Sequence, residues 1–143
     1  MKFYSTETEI LEVPYLDSCV CNKCGDTYTK NKIKDVTSVN AKFVDYGTMY
    51  ENQIWNFDMC ANCLVEIIKT FKYIPTGFME DYTEASYIKD KQKVFDNWKV
   101  TGEWEPYLGY EYEELIGLFD GWYHTAEFIN ELIEKYYPDK ERL

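Results

Sequence analysis

Apolar and polar residues alternate with a period of two in two stretches near the middle of the chain. In residues 38–43, Val39, Ala41 and Phe43 fall on one face and Ser38, Asn40 and Lys42 on the other, the pattern of a strand with one buried side. Residues 53–59 alternate in the same way, with Trp55, Phe57 and Met59 opposing Asn56 and Asp58. Gly47 lies between the two runs and supplies a turn residue, so together they predict a β-hairpin. Residues 3–13, rich in β-branched and aromatic side chains, predict an earlier strand ended by Pro14, which has no amide to offer a ladder.

From residue 61 the period changes to that of a helix. Ala61, Leu64, Val65, Ile68 and Phe71 place one apolar stripe on a helix over residues 61–72, stopped by Pro75 and Gly77. A second helix is expected after Thr83 as N-cap, with Tyr87, Ile88, Lys91, Phe95 and Trp98 on one side; its C-terminal half also fits a strand. Residues 111–119 and 125–137 predict two further helices, the last carrying Phe128, Ile129, Leu132, Ile133 and Tyr136 before Pro138. The expected fold is α+β: a module over residues 1–75, and a mainly helical, aromatic-rich region over residues 76–143 packed on it. The chain shows no internal repeat and no low-complexity linker.

Superimposed on the hairpin and the first helix is a cysteine pattern. Cys21-Asn22-Lys23-Cys24-Gly25 and Cys60-Ala61-Asn62-Cys63 are two C-x-x-C pairs separated by 35 residues. Two residues between cysteines let a tight turn aim both sulfurs at one point, and Gly25 lets the backbone fold beneath them. The second pair opens the predicted helix, whose amides and dipole favour thiolates. A cysteine turn, a hairpin and a helix opened by two cysteines form the order of a treble-clef module holding one structural Zn2+ through Cys21, Cys24, Cys60 and Cys63. Four thiolates leave no position open for water, so the site is structural and not catalytic. Cys19 is the spare: it can replace Cys21 in a C-x4-C pair, although the Gly25 context favours Cys21. Redox use of the pairs lacks the βαβ setting such motifs normally have.

Charge changes the picture for the rest of the chain. The net charge is -11, and residues 101–143 hold 11 acidic residues against Lys135, Lys140 and Arg142. So negative a chain repels phosphate backbones, and direct DNA binding is not expected. Lys30, Lys32 and Lys34 form a tight basic run, which reads as a solvated face or as a local phosphate contact. Aromatic residues make up 18% of the chain, too many for a disordered acidic tail, so the acidic part is expected to fold. No stretch approaches the ~20 apolar residues of a membrane span and no charged n-region precedes an apolar run, so a soluble, cytoplasmic protein is expected.

Enzymatic chemistry finds no foothold. His124 is the only histidine, and it precedes the last helix, where a capping or surface role is expected. Phosphate-binding loops, nucleophile elbows and H-E-x-x-H motifs are missing from the sequence.

The segments 21–25 and 57–64 resemble the paired knuckles of small zinc-ribbon proteins encoded by bacteriophages, over roughly residues 15–70. The tyrosine-rich acidic remainder is similar in layout to phage anti-CRISPR proteins acting on type II Cas9. That resemblance implies an inhibitor of a basic host protein, namely Cas9 or its guide-RNA complex. Carboxylates would steer and rings would anchor, through Glu103, Trp104, Glu105, Tyr107, Tyr110, Glu111, Tyr112, Glu113 and Glu114. A zinc-ribbon nucleic-acid-binding or transcription-associated protein using the three lysines is the alternative.

Overall fold

The structure is a computed structural model that describes residues 1–6, 14–44 and 47–143. The chain is α+β and divides into two compact units, residues 1–70 and 71–143.

In the first unit, β1 (Lys2–Thr6), β2 (Pro14–Val20) and β3 (Thr27–Thr29) form an antiparallel sheet in that order. A single strand over residues 3–13 is therefore corrected at its end: residues 7–13 lie outside the described residues, and Pro14 opens a strand instead of closing one. First position in a strand is one of the places where a missing amide costs least. The hairpin is present as β4 (Val36–Lys42) paired antiparallel with β5 (Ile54–Cys60). Its register sets Val39 opposite Phe57 and Ala41 opposite Trp55, so the apolar faces coincide, while Asn40 pairs with Asn56 and Ser38 with Asp58. Gly47 has the positive φ of 97° expected of the turn residue.

Strand β5 runs directly into helix α1 (Ala61–Ile68). The helix ends about a turn earlier than expected, and its inward face is rotated. Cys63, Leu64 and Ile67 pack into the unit's core cluster, whereas Ala61 and Val65 are exposed. The packing of Cys63 against Cys21, Met59 and Cys60, not the aliphatic stripe, decides which side faces in.

The second unit is helical. Residues 83–87 form a 3-10 turn, and helix α2 (Lys91–Thr101) follows, capped by Asp90, whose carboxylate accepts from the Lys93 amide at 3.1 Å. The expected cap at Thr83 is thus displaced by one short turn, and the segment that also fitted a strand is helical, ending at Gly102 in the left-handed region. Phe78 meets Phe95 and Trp98 edge-on at 5.1 and 5.0 Å. Helices α3 (Tyr112–Gly117) and α4 (Ala126–Tyr136) pack around Tyr107, Leu115, Ile129, Leu132 and Ile133. The apolar stripe predicted for α4 is the face it buries. Among the described residues no helix is long and apolar enough to cross a membrane.

Candidate functional site

Cys21 and Cys24 lie in the turn that follows β2. The turn closes through a hydrogen bond from the Gly25 amide to the Cys21 carbonyl, 2.9 Å, and Gly25 takes φ +80°, a conformation that side chains with a Cβ resist. Cys60 is the last residue of β5 and the N-cap of α1, and Cys63 sits in the first turn of that helix. The two pairs therefore come from a loop and from a strand-to-helix junction, and β5 brings them together. The Asn22 amide donates to the Asp58 carbonyl at 2.8 Å, the Asp58 amide donates to Asn22 Oδ1 at 2.9 Å, and the Cys60 amide donates to Cys21 Sγ at 3.3 Å.

The result is a cluster in which all four sulfurs lie within 4.8 Å of one another. Cys24 Sγ and Cys60 Sγ are 3.9 Å apart, close to the roughly 3.8 Å between thiolates tetrahedrally placed on a metal with ~2.3 Å metal–sulfur bonds. All four are free thiols; Cys21, Cys60 and Cys63 are buried and Cys24 is exposed. The donor set fits a soft or borderline divalent ion with all-sulfur coordination.

The protonation of the thiols points the same way. Burial opposes a thiolate at Cys21, yet the amides of Cys24, Cys60 and Lys23 donate to its sulfur and bring its pKa down to about 6. Cys60 is lowered too, by the Tyr28 hydroxyl and then the Cys63 amide. The Cys60 sulfur, followed by burial, pushes Cys63 up to about 12. At Cys24 the Asp26 amide favours the thiolate, but burial and the Cys21 sulfur outweigh it and the pKa is raised. Two sulfurs favour the anion and thereby hold protons on the other two. A cation at the centre removes that opposition and releases the protons.

Three neighbours of the cluster escaped sequence reasoning. Tyr28 packs against the cluster, where its hydroxyl favours the Cys60 thiolate. Asn22 brackets the turn, and asparagine within a C-x-x-C turn is a signal that was available, since its side chain readily bonds nearby backbone. Asp58 was assigned by alternation to the polar face, but it is buried at 6% exposure. Its carboxylate accepts from Ser38 Oγ at 2.7 Å and pairs with Lys2 at 3.0 Å and the Met1 amino group at 3.1 Å. Burial by itself raises the Asp58 pKa; Ser38, Lys2 and the Met1 amino group together overcome this and hold it at about 2. No residue pattern announces this pairing, because its partners come from the N-terminus, β1 and β4.

Cys19 is buried at 1% exposure and lies outside the four-sulfur cluster, its thiol pushed up by burial and by Asp58. Cys19→Ser is expected to keep the metal content of the parent protein by elemental analysis. A loss equal to that of Cys21→Ser would make Cys19 a ligand.

The acidic candidates of residues 103–114 are placed unevenly. Tyr107 is core, 2% exposed, and its hydroxyl shares a 2.9 Å hydrogen bond with His124 Nε2. His124 is likewise buried, at 1%, so it is a polar core residue and not a surface or capping group; Thr125 caps α4. Glu105 is buried and held by Tyr136 and Lys135. Glu111 and Glu114 form the capping box of α3, and Glu114 also pairs with Lys89. Trp104, Tyr110 and Tyr112 are half-buried, with the Tyr110 hydroxyl donating to the Tyr87 carbonyl and the Tyr112 hydroxyl to that of Glu141. Glu103 and Glu113 are exposed. Glu105 and Tyr107 are thus corrected from contact surface to interior, since a short helical unit recruits its nearest rings and polar partners into its own core.

Comparison with protein-family models, with curated proteins and with solved structures finds no match for this chain.

Proposed function

We propose that residues 1–70 form a treble-clef-like module built on one structural zinc ion held by Cys21, Cys24, Cys60 and Cys63. The convergence of four sulfurs within 4.8 Å carries this reading. The order of elements supports it: a cysteine turn, the β4–β5 hairpin, then α1 with Cys60 at its N-cap and Cys63 in its first turn. Zinc suits a tetrahedral all-thiolate set, and four protein ligands fill that geometry, so the metal organises the fold and activates no water. The protein is accordingly read as a non-enzyme.

The chain then acts through its surface, as an acidic inhibitor of a basic nucleic-acid-binding host protein: Cas9 or its guide-RNA complex, in a bacterial cytoplasm. The concentration of acidic residues in 101–143 supports this choice, because a Cas9 channel is built to hold a negatively charged duplex. Exposed carboxylates such as Glu103 and Glu113 speed encounter. A second reading, nucleic-acid binding by the zinc module, draws on Lys30, Lys32 and Lys34, all exposed on the 3-10 turn over residues 30–35.

The test is DNA cleavage by guide-loaded Cas9 with and without the protein, together with association kinetics at two salt concentrations. Inhibition is expected, with association slowed by salt and by the double reversal Glu103→Lys/Glu113→Lys. Reversing Glu105, Glu111 or Glu114 is avoided, because it breaks the contacts of the buried Glu105 with Tyr136 and Lys135 and removes the α3 cap. Absence of both binding and inhibition overturns the Cas9 assignment, and direct DNA binding with a steep salt slope selects the second reading.

A further inference from the structure

The most exposed large ring of the second unit lies outside residues 103–114. Trp122, 90% exposed, stands in the connection between α3 and α4, with Phe119 at 50% beside it in sequence. Burying an indole is worth far more than burying most side chains, so an exposed tryptophan is an efficient anchor for a partner.

The connection is built to hold that ring out. Asp120 Oδ1 accepts from the Trp122 amide at 2.8 Å and from the His124 amide at 2.9 Å, while the Asp120 and Gly121 amides donate back to the His124 carbonyl at 3.1 and 3.3 Å. Gly121 takes φ +75°, which closes the turn. Its far end is anchored in the core by His124 on Tyr107, and Tyr123 stacks on Tyr87 at 5.2 Å with the rings 18° apart. The pinned turn fixes the backbone from which the indole projects, so binding pays little to order the main chain there.

The charges next to the turn along the chain give the chemistry of the occupant. Residues 100–134 contain no lysine or arginine, and Trp122 lies within that stretch. Just after it, Glu127 and Glu131 stand four residues apart and exposed on α4. Neither Glu127 nor Glu131 forms an ion pair among the described residues: Lys135, one turn after Glu131 on α4, pairs with Glu105, Arg142 with Glu134 and Lys89 with Glu114. Like charges at this helical spacing repel by a few tenths of a kcal/mol, roughly, and a bound cation reverses the sign.

We infer that the Trp122 turn and the Glu127 and Glu131 face of α4 form a docking site for an arginine-bearing basic protein surface. Guanidinium stacks flat on an indole and pairs with carboxylates through two parallel hydrogen bonds, which an ammonium does not. This rests on the proposal of a basic protein partner and assigns its anchor to the α3–α4 connection.

The test is a titration of isotope-labelled full-length protein with a short peptide alternating arginine and glycine, and with its lysine counterpart, followed by NMR. The Trp122 indole N–H and the amides of residues 119–131 are expected to shift, with the arginine peptide binding more tightly. Trp122→Ala, which changes no charge and leaves a folded spectrum, is expected to weaken binding of the arginine peptide by about tenfold. Glu127→Gln/Glu131→Gln is expected to weaken it and to flatten its salt dependence. Shifts confined to other residues, or Trp122→Ala binding as tightly as the parent, overturn the inference. Concentration-dependent shifts of residues 119–131 without peptide do so too, because the occupant is then a second copy of the chain. The Cas9 assay separates this from the broader reading. Full inhibition by Trp122→Ala overturns the docking site and leaves the inhibitor assignment standing. A parent protein that binds the arginine peptide at residues 119–131 but never inhibits Cas9 overturns the assignment and supports the docking site.

Discussion

Replacing Cys63 with serine is expected to abolish stoichiometric zinc binding and to unfold residues 1–70. The reason lies in what that unit has for a core. Its buried cluster consists of Cys21, Met59, Cys60 and Cys63, with Tyr28, Phe57, Leu64 and Ile67 packed against it, so three of the four buried members belong to the four-sulfur cluster. A unit this size rarely stabilises itself by apolar burial alone, and a metal commonly makes up the difference. Zinc contributes an apparent ~10–16 kcal/mol in small zinc peptides at neutral pH. Serine removes one sulfur donor and leaves the buried Cys21 and Cys60 and the exposed Cys24 around an incomplete site. Elemental analysis should show the zinc lost, and the amide spectrum of residues 1–70 should collapse towards that of an unfolded chain. A Cys63→Ser protein with the parent's zinc content and dispersed spectrum would show that the cysteines only pack.

Truncating the core of the second unit is expected to have the next largest effect, with the opposite pattern. Ile129 is fully buried on α4, in a cluster with Tyr107, Leu115, Leu132 and Ile133. Ile129→Ala removes buried methyl groups and leaves a cavity, at a cost of roughly 2–5 kcal/mol. Chemical denaturation followed by helix circular dichroism should report that loss, because α2, α3 and α4 supply most of the helix. Zinc content should stay at the parent value, since the four-sulfur cluster lies wholly in residues 1–70. A destabilisation below about 1 kcal/mol would mean that this cluster is not the core of the unit.

The parts of the fold legible in the sequence are those whose physical cause is local. The hairpin followed from alternation on both strands, and α4 from a stripe with Thr125 before it and Pro138 after it. The cysteine turn was readable because spacing and Gly25 together dictate one conformation. What was not legible depended on distant residues. The buried face of α1 is chosen by Cys63 turning to sulfurs from another segment, which overrides the aliphatic pattern of Ala61, Val65 and Ile68. Asp58 reads as a solvated strand residue until Lys2 and Ser38 arrive beside it. Tyr107 and Glu105 read as surface because acids and rings alternate there. Their burial is set by His124, Tyr136 and Lys135, which lie 17 to 31 residues away in sequence. Trp122 was missed for the reverse reason, since nothing local distinguishes an exposed tryptophan from a core one.

X-ray absorption at the zinc edge of the purified protein tests the central claim most directly, because it reads the ligand set itself. One zinc per chain surrounded by four sulfurs at about 2.3 Å is the expected result. A nitrogen or oxygen donor in that shell, or protein that carries no zinc, would contradict the assignment of Cys21, Cys24, Cys60 and Cys63 as one structural zinc site.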